Sequence, residues 1–86
     1  MANHASAKKR IRQTAKRTAR NKHIRTTVRS HVKRVRAAIE AADKDTATQA
    51  LGKAVSLIDG AVSKGVYHRK TGARYISRLT RQVNAL

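Results

Sequence analysis

The side chains of this sequence that could do acid–base or metal chemistry are few and scattered. Its carboxylates are Glu40, Asp43, Asp45 and Asp59, its imidazoles are His4, His23, His31 and His68, and it has no Cys. Catalysis needs a nucleophile or proton donor held against a partner group. The carboxylates form no recognisable pair, and no two histidines stand at the H-x-x-x-H or H-E-x-x-H spacing that sets two imidazoles around zinc on one helix face. A glycine-rich phosphate loop is absent as well. The residues therefore predict no enzyme, no metal and no cofactor, and the histidines are read as solvated or phosphate-facing groups.

Positive charge is what the chain has in quantity. It holds 21 Lys and Arg against 4 Asp and Glu, a net +17. Of these, 13 basic residues and no acidic one fall between Met1 and Arg36, so the other 50 residues keep 21 − 13 = 8 basic and all 4 acidic residues, a net +4. Solubility asks for a net charge of only ~2 to 8 with both signs mixed. A polyanion would neutralise the excess and release counterions on binding, so nucleic acid is the expected partner.

The kind of nucleic acid is constrained by what is missing. Tyr67 and Tyr75 are the only aromatic residues; on separate segments, they are read as packing residues rather than as a platform for stacked bases. Gln13 and Asn21 give only a slight opening for reading base edges in a groove. Backbone and shape recognition fits better: a helix surrounded by phosphates, as in a crevice of folded RNA.

Periodicity supplies the elements that would position these charges. From Ser6 to Arg36 there is no Gly or Pro, and Ala, Arg, Lys and Gln favour helix. Ser6 is the expected N-cap of a helix running from Ala7 to about Ala42. Ile24, Val28, Val32, Val35, Ile39 and Ala42 recur every three or four residues as a core-facing seam, and Arg25, Arg29, Lys33 and Arg36 form a stripe beside it. Ile11, Ala15 and Ala19 lie about 100° out of register with that seam. Around them Lys8, Lys9, Arg10, Arg12, Lys16, Arg17 and Arg20 encircle the axis, a pattern no core helix shows.

Asp43 or Asp45 can cap a second helix, Thr46 to Lys64, with Ala47, Ala50, Leu51, Ala54, Val55, Ile58, Ala61 and Val62 on its apolar face and Gly65 as its stop. Gly52 and Gly60 fall off that face. A third helix is expected from about Lys70 to the carboxyl end, burying Ala73, Ile76, Leu79, Val83 and Leu86 and exposing Lys70, Arg74, Arg78 and Arg81. Helix one would be ~54 Å long and helix two ~28 Å, so short connections leave ~26 Å of the basic half uncovered. The expected fold is all-α: a three-helix bundle with a long, protruding basic N-terminal helix. It forms one domain, 1–86, with 7–23 protruding and 24–86 as the bundle. Self-repulsion should fray the protruding half until a polyanion neutralises it.

With these residues set out, the chain resembles the family of bacterial small-subunit ribosomal protein twenty, the S-twenty family, over essentially its whole length. The resemblance lies in Met1-Ala2-Asn3, Ser6-Ala7-Lys8-Lys9-Arg10, Arg12-Gln13, Asn21, Arg25, Arg29, Lys33, Ala38-Ile39 and Asp43. It continues through Lys64-Gly65-Val66, His68, Ala73-Arg74 and Ser77-Arg78-Leu79. It implies a three-helix bundle with an extended first helix that binds small-subunit ribosomal RNA directly, assists assembly and works in the cytoplasmic ribosome, with contacts to neighbouring ribosomal proteins open. The implied RNA-binding residues on helix one are Ser6, Lys8, Lys9, Arg10, Arg12, Gln13, Lys16, Arg17, Arg20, Asn21, Lys22, Arg25, Arg29 and Lys33. Beyond it they are Lys64, His68, Arg69, Lys70, Arg74 and Arg78. The family commonly has His-Lys-Asn and then Ala-Ala-Arg where this chain has His68-Arg69-Lys70 and Gly72-Ala73-Arg74, so a phosphate contact rather than a base contact is expected at Lys70.

Three other readings fit part of the pattern. A DNA-condensing nucleoid protein needs the same charge and no RNA shape. A membrane-active or acidic-protein-binding cationic helix is weakened by the lack of Leu, Phe or Trp along one face of residues 6 to 23. A mitochondrial transit peptide is also Arg-rich and acid-free, but here the apolar pattern continues through Arg36 without a break. No apolar run reaches the ~20 residues of a membrane span, and no secretory h-region is present. No small-molecule substrate and no homo-oligomer is expected.

Overall fold

The computed structural model describes residues 5–86; Met1, Ala2, Asn3 and His4, used in the sequence reading, lie outside the described residues. Three helices follow one another: α1 (Ala5–Glu40), α2 (Lys44–Ser63) and α3 (Arg69–Asn84). No described helix is long and apolar enough to cross a membrane. The radius of gyration of 17.2 Å exceeds the roughly 12 Å of a compact chain of this length, and the principal extents are 58 × 21 × 15 Å. The long axis is α1, whose 36 residues rise ~54 Å.

Helix ends have local causes, and both ends of α1 differ from expectation, as do the start of α2, at Lys44 and not Thr46, and the end of α3, at Asn84. Ser6 lies inside α1 instead of capping it. At the other end α1 stops at Glu40, because Asp43 N–H donates to the Ala38 carbonyl at 3.0 Å and Ala42 N–H to that of Ile39 at 3.0 Å. This paired closure needs a left-handed residue, and Ala42 takes it with φ 53°. Ala42 is therefore exposed and leaves the seam it was expected to join.

The same turn presents Asp43 to α2. Its Oδ1 accepts from Thr46 N–H at 3.2 Å and its Oδ2 from the Thr46 hydroxyl at 2.6 Å, bonds that hold its carboxyl below the usual carboxylate range. α2 ends as expected at Gly65, φ 75°, with Val66 N–H on the Ala61 carbonyl at 2.9 Å and Gly65 N–H on that of Val62 at 3.0 Å. α3 starts at Arg69 behind an N-cap that residue preferences do not favour: His68 Nδ1 accepts from Lys70 N–H at 3.1 Å.

The three helices form a row, with α2 in the middle; α1 and α3 touch only marginally. The core comprises Val28, Val35 and Ala38 of α1, Ala47, Ala54, Ile58 and Ala61 of α2, Val66 of the connection, and Leu79 and Val83 of α3. Ile58 and Val35 are its largest fully buried side chains, so the core is thin and relies on alanines that let backbones approach. On α3 the expected buried residues Ala73 and Leu86 are exposed, whereas Gly72 is buried. The wheel explains the exchange: Gly72, Ile76, Leu79 and Val83 share one face, and Ala73 stands about 100° from Gly72. Leu86 lies beyond the last turn of α3. A Cβ on Gly72 would stand 2.5 Å from Val62 Cγ2, so the missing side chain is what lets α3 lie on α2.

Candidate nucleic-acid interface

α2 has 20 residues and returns only ~30 Å along α1, leaving ~24 Å of that helix beyond the bundle. Burial marks the same limit. From Ala5 to Arg20 every residue is exposed except half-buried Ala7; the first packing contacts come at half-buried Asn21 and at Ile24. On this overhang Lys8, Lys9, Arg10, Arg12, Lys16, Arg17 and Arg20 point outward around the whole axis, with exposed Ser6 and Gln13 among them. Ile11, 58 % exposed, packs on no other helix among the described residues, and α1 has no acidic residue in its first turn. Nothing nearby neutralises the field of these cations, so it reaches solvent at full strength.

Farther along α1, Lys22, Arg25, Arg29 and Lys33 are exposed at three- and four-residue spacing, forming one stripe beside the core seam. Thr26 and Thr27 are not free donors there: their hydroxyls bond back to the carbonyls of Lys22 at 2.9 Å and His23 at 3.0 Å.

Packing brings the later basic residues to the end of the bundle from which the overhang leaves. Lys64, at the end of α2, lines one groove with His23 and Ile24 of α1. The connection that follows places His68, Arg69 and Lys70 at that same end, all exposed, and Arg74 and Arg78 continue them along α3. The first turn of α3 carries no acidic residue, so Arg69 and Lys70 add their charge to the positive end of the helix dipole, where cations cost stability and an anion restores it. Glu40, Asp43 and Asp45 gather at the opposite corner, between α1 and α2, about 30 Å away along α2. Three of the four acids thus sit where the chain turns back, with Asp59 alone near the other end of α2, and the acid-free overhang carries the densest positive charge.

Two features were not read from the sequence. His68 was expected to face RNA, yet its Nδ1 is occupied by the α3 cap, leaving Nε2–H as its one free donor. Tyr67 and Tyr75 meet edge to face, centroids 5.8 Å apart and planes at 84°. Tyr67 packs on the core, but Tyr75 is 36 % exposed. A hydrophobic residue at 75, one place before core-facing Ile76, was the only sequence signal for this pair. Asn21 makes a long 3.5 Å contact with the Arg20 guanidinium. Among the described residues no three His, Cys, Asp or Glu side chains could together hold a metal ion.

Comparison with known proteins agrees with this arrangement. The family model described as ribosomal protein S20 matches residues 2–84. The chain is 56 % identical over 86 residues to small ribosomal subunit protein bS20 of Geotalea daltonii, covering 100 % of this chain and 99 % of that one. It is 55 % identical over 86 residues to the protein of that name from Citrifermentans bemidjiense, with the same coverage. With the Syntrophus aciditrophicus protein it shares 55 % over 85 residues, 99 % of this chain and 96 % of the relative. A thin three-helix row with a bare, all-round basic first helix is thus the form taken here by a sequence matched from end to end, and the chain belongs to the ribosomal protein S20 family.

Proposed function

We propose that this protein is an architectural component of the small ribosomal subunit, catalysing nothing, that binds small-subunit ribosomal RNA directly and assists assembly of the particle in the cytoplasm. Its family and its relatives' names support the place in the subunit. The observation that carries the mode of binding is the overhang, a helix from Ala5 to Arg20 with cations on every side and no packing partner among the described residues. A straight duplex can meet only one side of such a rod, whereas a crevice between RNA helices meets several.

The chain then acts as one domain, 1–86, in which 7–23 is the arm embedded in RNA and 24–86 the bundle that holds it. Lys8, Lys9, Arg10, Arg12, Lys16, Arg17 and Arg20 take phosphates around the arm, with Ser6, Gln13 and Asn21 as hydrogen-bonding groups between them. Lys22, Arg25, Arg29 and Lys33 take one strand along the bundle's side. Lys64, His68 through Nε2–H, Arg69, Lys70, Arg74 and Arg78 form a third contact at the bundle's end. The density of positive charge on the acid-free arm orients the encounter, arm first. Neighbouring small-subunit proteins would meet the surfaces that remain.

Competition binding tests the reading. Full-length protein should prefer small-subunit ribosomal RNA to random duplex DNA at equal salt. Replacing Arg12, Lys16 and Arg20 together by Gln should flatten the slope of log K against log salt by roughly 2 to 3. Equal affinity for the two nucleic acids, or an unchanged slope, would refute it.

A further inference from the structure

The two tyrosines converge at the basic end of the bundle, and their geometry leaves an aromatic face unused. In an edge-to-face pair with planes at 84°, at most one face of either ring is covered by the other. Tyr75 therefore keeps at least one face clear of Tyr67, and it is 36 % exposed. The Arg74 guanidinium carbon stands over this ring, 5.9 Å from its centroid. That separation is too wide for close stacking, and one flat base stacked on both sides at ~3.4 Å per layer would need ~6.8 Å between them. Arg74 is exposed on a flexible stem, so a small swing opens the slot. On the wheel Tyr75 lies between the buried face and Arg78, with Lys70 and Arg74 one stripe further out. Phosphates flanking an inserted base would meet these cations on the solvent side of the ring.

Resting on the RNA-binding reading above, we infer that Tyr75 and Arg74 form a slot for one unpaired nucleobase of the bound RNA, stacked between the phenol ring and the guanidinium plane. Unpaired bases are what proteins recognise in RNA by stacking on aromatic rings and Arg planes. Tyr67, held on the core, fixes the angle of the Tyr75 ring through their edge-to-face contact. The contact is indifferent to base identity, because every base has a π-face. It adds a non-ionic anchor to an interface otherwise made of charge.

The test uses the full chain and purified small-subunit ribosomal RNA. Tyr75→Ala should weaken binding about 5- to 150-fold, the loss expected for one base–aromatic stack. The slope of log K against log salt should stay at the wild-type value, since no phosphate contact is lost. Tyr75→Phe, which keeps the ring and removes the hydroxyl, should restore affinity to within about twofold. Ultraviolet crosslinking of the wild-type complex gives a readout independent of how any variant folds: a nucleotide adduct should appear on the tryptic peptide Tyr75–Arg78. Wild-type affinity for Tyr75→Ala, equal losses for Ala and Phe, or adducts on arm peptides with none on Tyr75–Arg78 would overturn the slot and leave the RNA-binding reading standing. Failure of the wild-type chain to prefer ribosomal RNA over duplex DNA would overturn both.

Discussion

Replacing Gly72 by Ala should weaken the bundle, although Ala is the better helix former. In a helix interior Ala is favoured over Gly by about 1 kcal/mol. Against this, the new Cβ would lie 2.5 Å from Val62 Cγ2 and 3.4 Å from Ile58 Cγ2, where carbon atoms prefer about 3.5 to 4.0 Å. The Ile58 contact is ordinary; the Val62 contact is not. Val62 is β-branched on a helix and has essentially one χ1 state, so its methyl cannot swing aside. Relief requires α3 to lift from α2 by about 1 Å, loosening Leu79 and Val83, and overpacking of this kind costs about 1 to 3 kcal/mol. The net expectation is a loss of about 1 kcal/mol, or a fall of about 4 to 8 °C in Tm for a chain of this size. Circular dichroism melts and urea titrations at fixed salt measure it. The decisive comparison is made in a Val62→Ala background, where the obstructing methyl is gone and Gly72→Ala should become stabilising by about 1 kcal/mol. A rise in Tm on placing Gly72→Ala in the wild-type chain, or the same sign in both backgrounds, would refute the packing argument.

Other outcomes follow from the helix ends and the arm. Ala42→Gly should raise stability by about 0.5 to 1 kcal/mol in the same melts, because φ 53° strains a residue with a Cβ and not glycine. Asp43 has its carboxyl pKa lowered by its bonds to Thr46, so its contribution is present above the unfolded value near 4 and is lost as pH falls through the lower folded value. Wild-type Tm should thus drop more steeply below about pH 4 than that of Asp43→Asn, which lacks the titration. Hydrogen exchange in free protein should be fast from Ala5 to Arg20 and slow from Val28 to Ile39, since helix without tertiary packing is marginal. Ribosomal RNA should slow the first segment selectively; equal protection of both segments without RNA would contradict the account of the arm.

Much of the fold was legible because its causes are local. The seam from Ile24 to Ile39 and the stop at Gly65 are signals within a turn or two of chain, and the core carries them out. The basic arm was legible for the same reason, since charges on all sides of a helix exclude it from any core. The misread positions depended on something outside their own helix. Ala73 was assigned to the buried face by its apolar type, but the close approach of Val62 makes Gly72 the buried residue. Ser6 and Ala42 were assigned by residue type, whereas the helix ends are placed by backbone bonds and a left-handed turn. His68 is not a customary cap, and only the path of the chain after Gly65 brings its ring to Lys70 N–H.

By itself the sequence determined the class of partner, the all-α architecture and the excess length of α1. Charge sums over the chain regardless of its fold, helical periodicity is written in successive residues, and helix length follows from residue count. Only the tertiary structure decided that α3 lies on α2 and barely touches α1, that Lys64 and the first-turn cations Arg69 and Lys70 of α3 come to the end where the arm departs, and that two tyrosines eight positions apart meet edge to face at 5.8 Å. Those results depend on where helices cross. Crossing is set by the fit of one side-chain surface to another, here by a single absent Cβ at Gly72, and no pattern within one helix contains it.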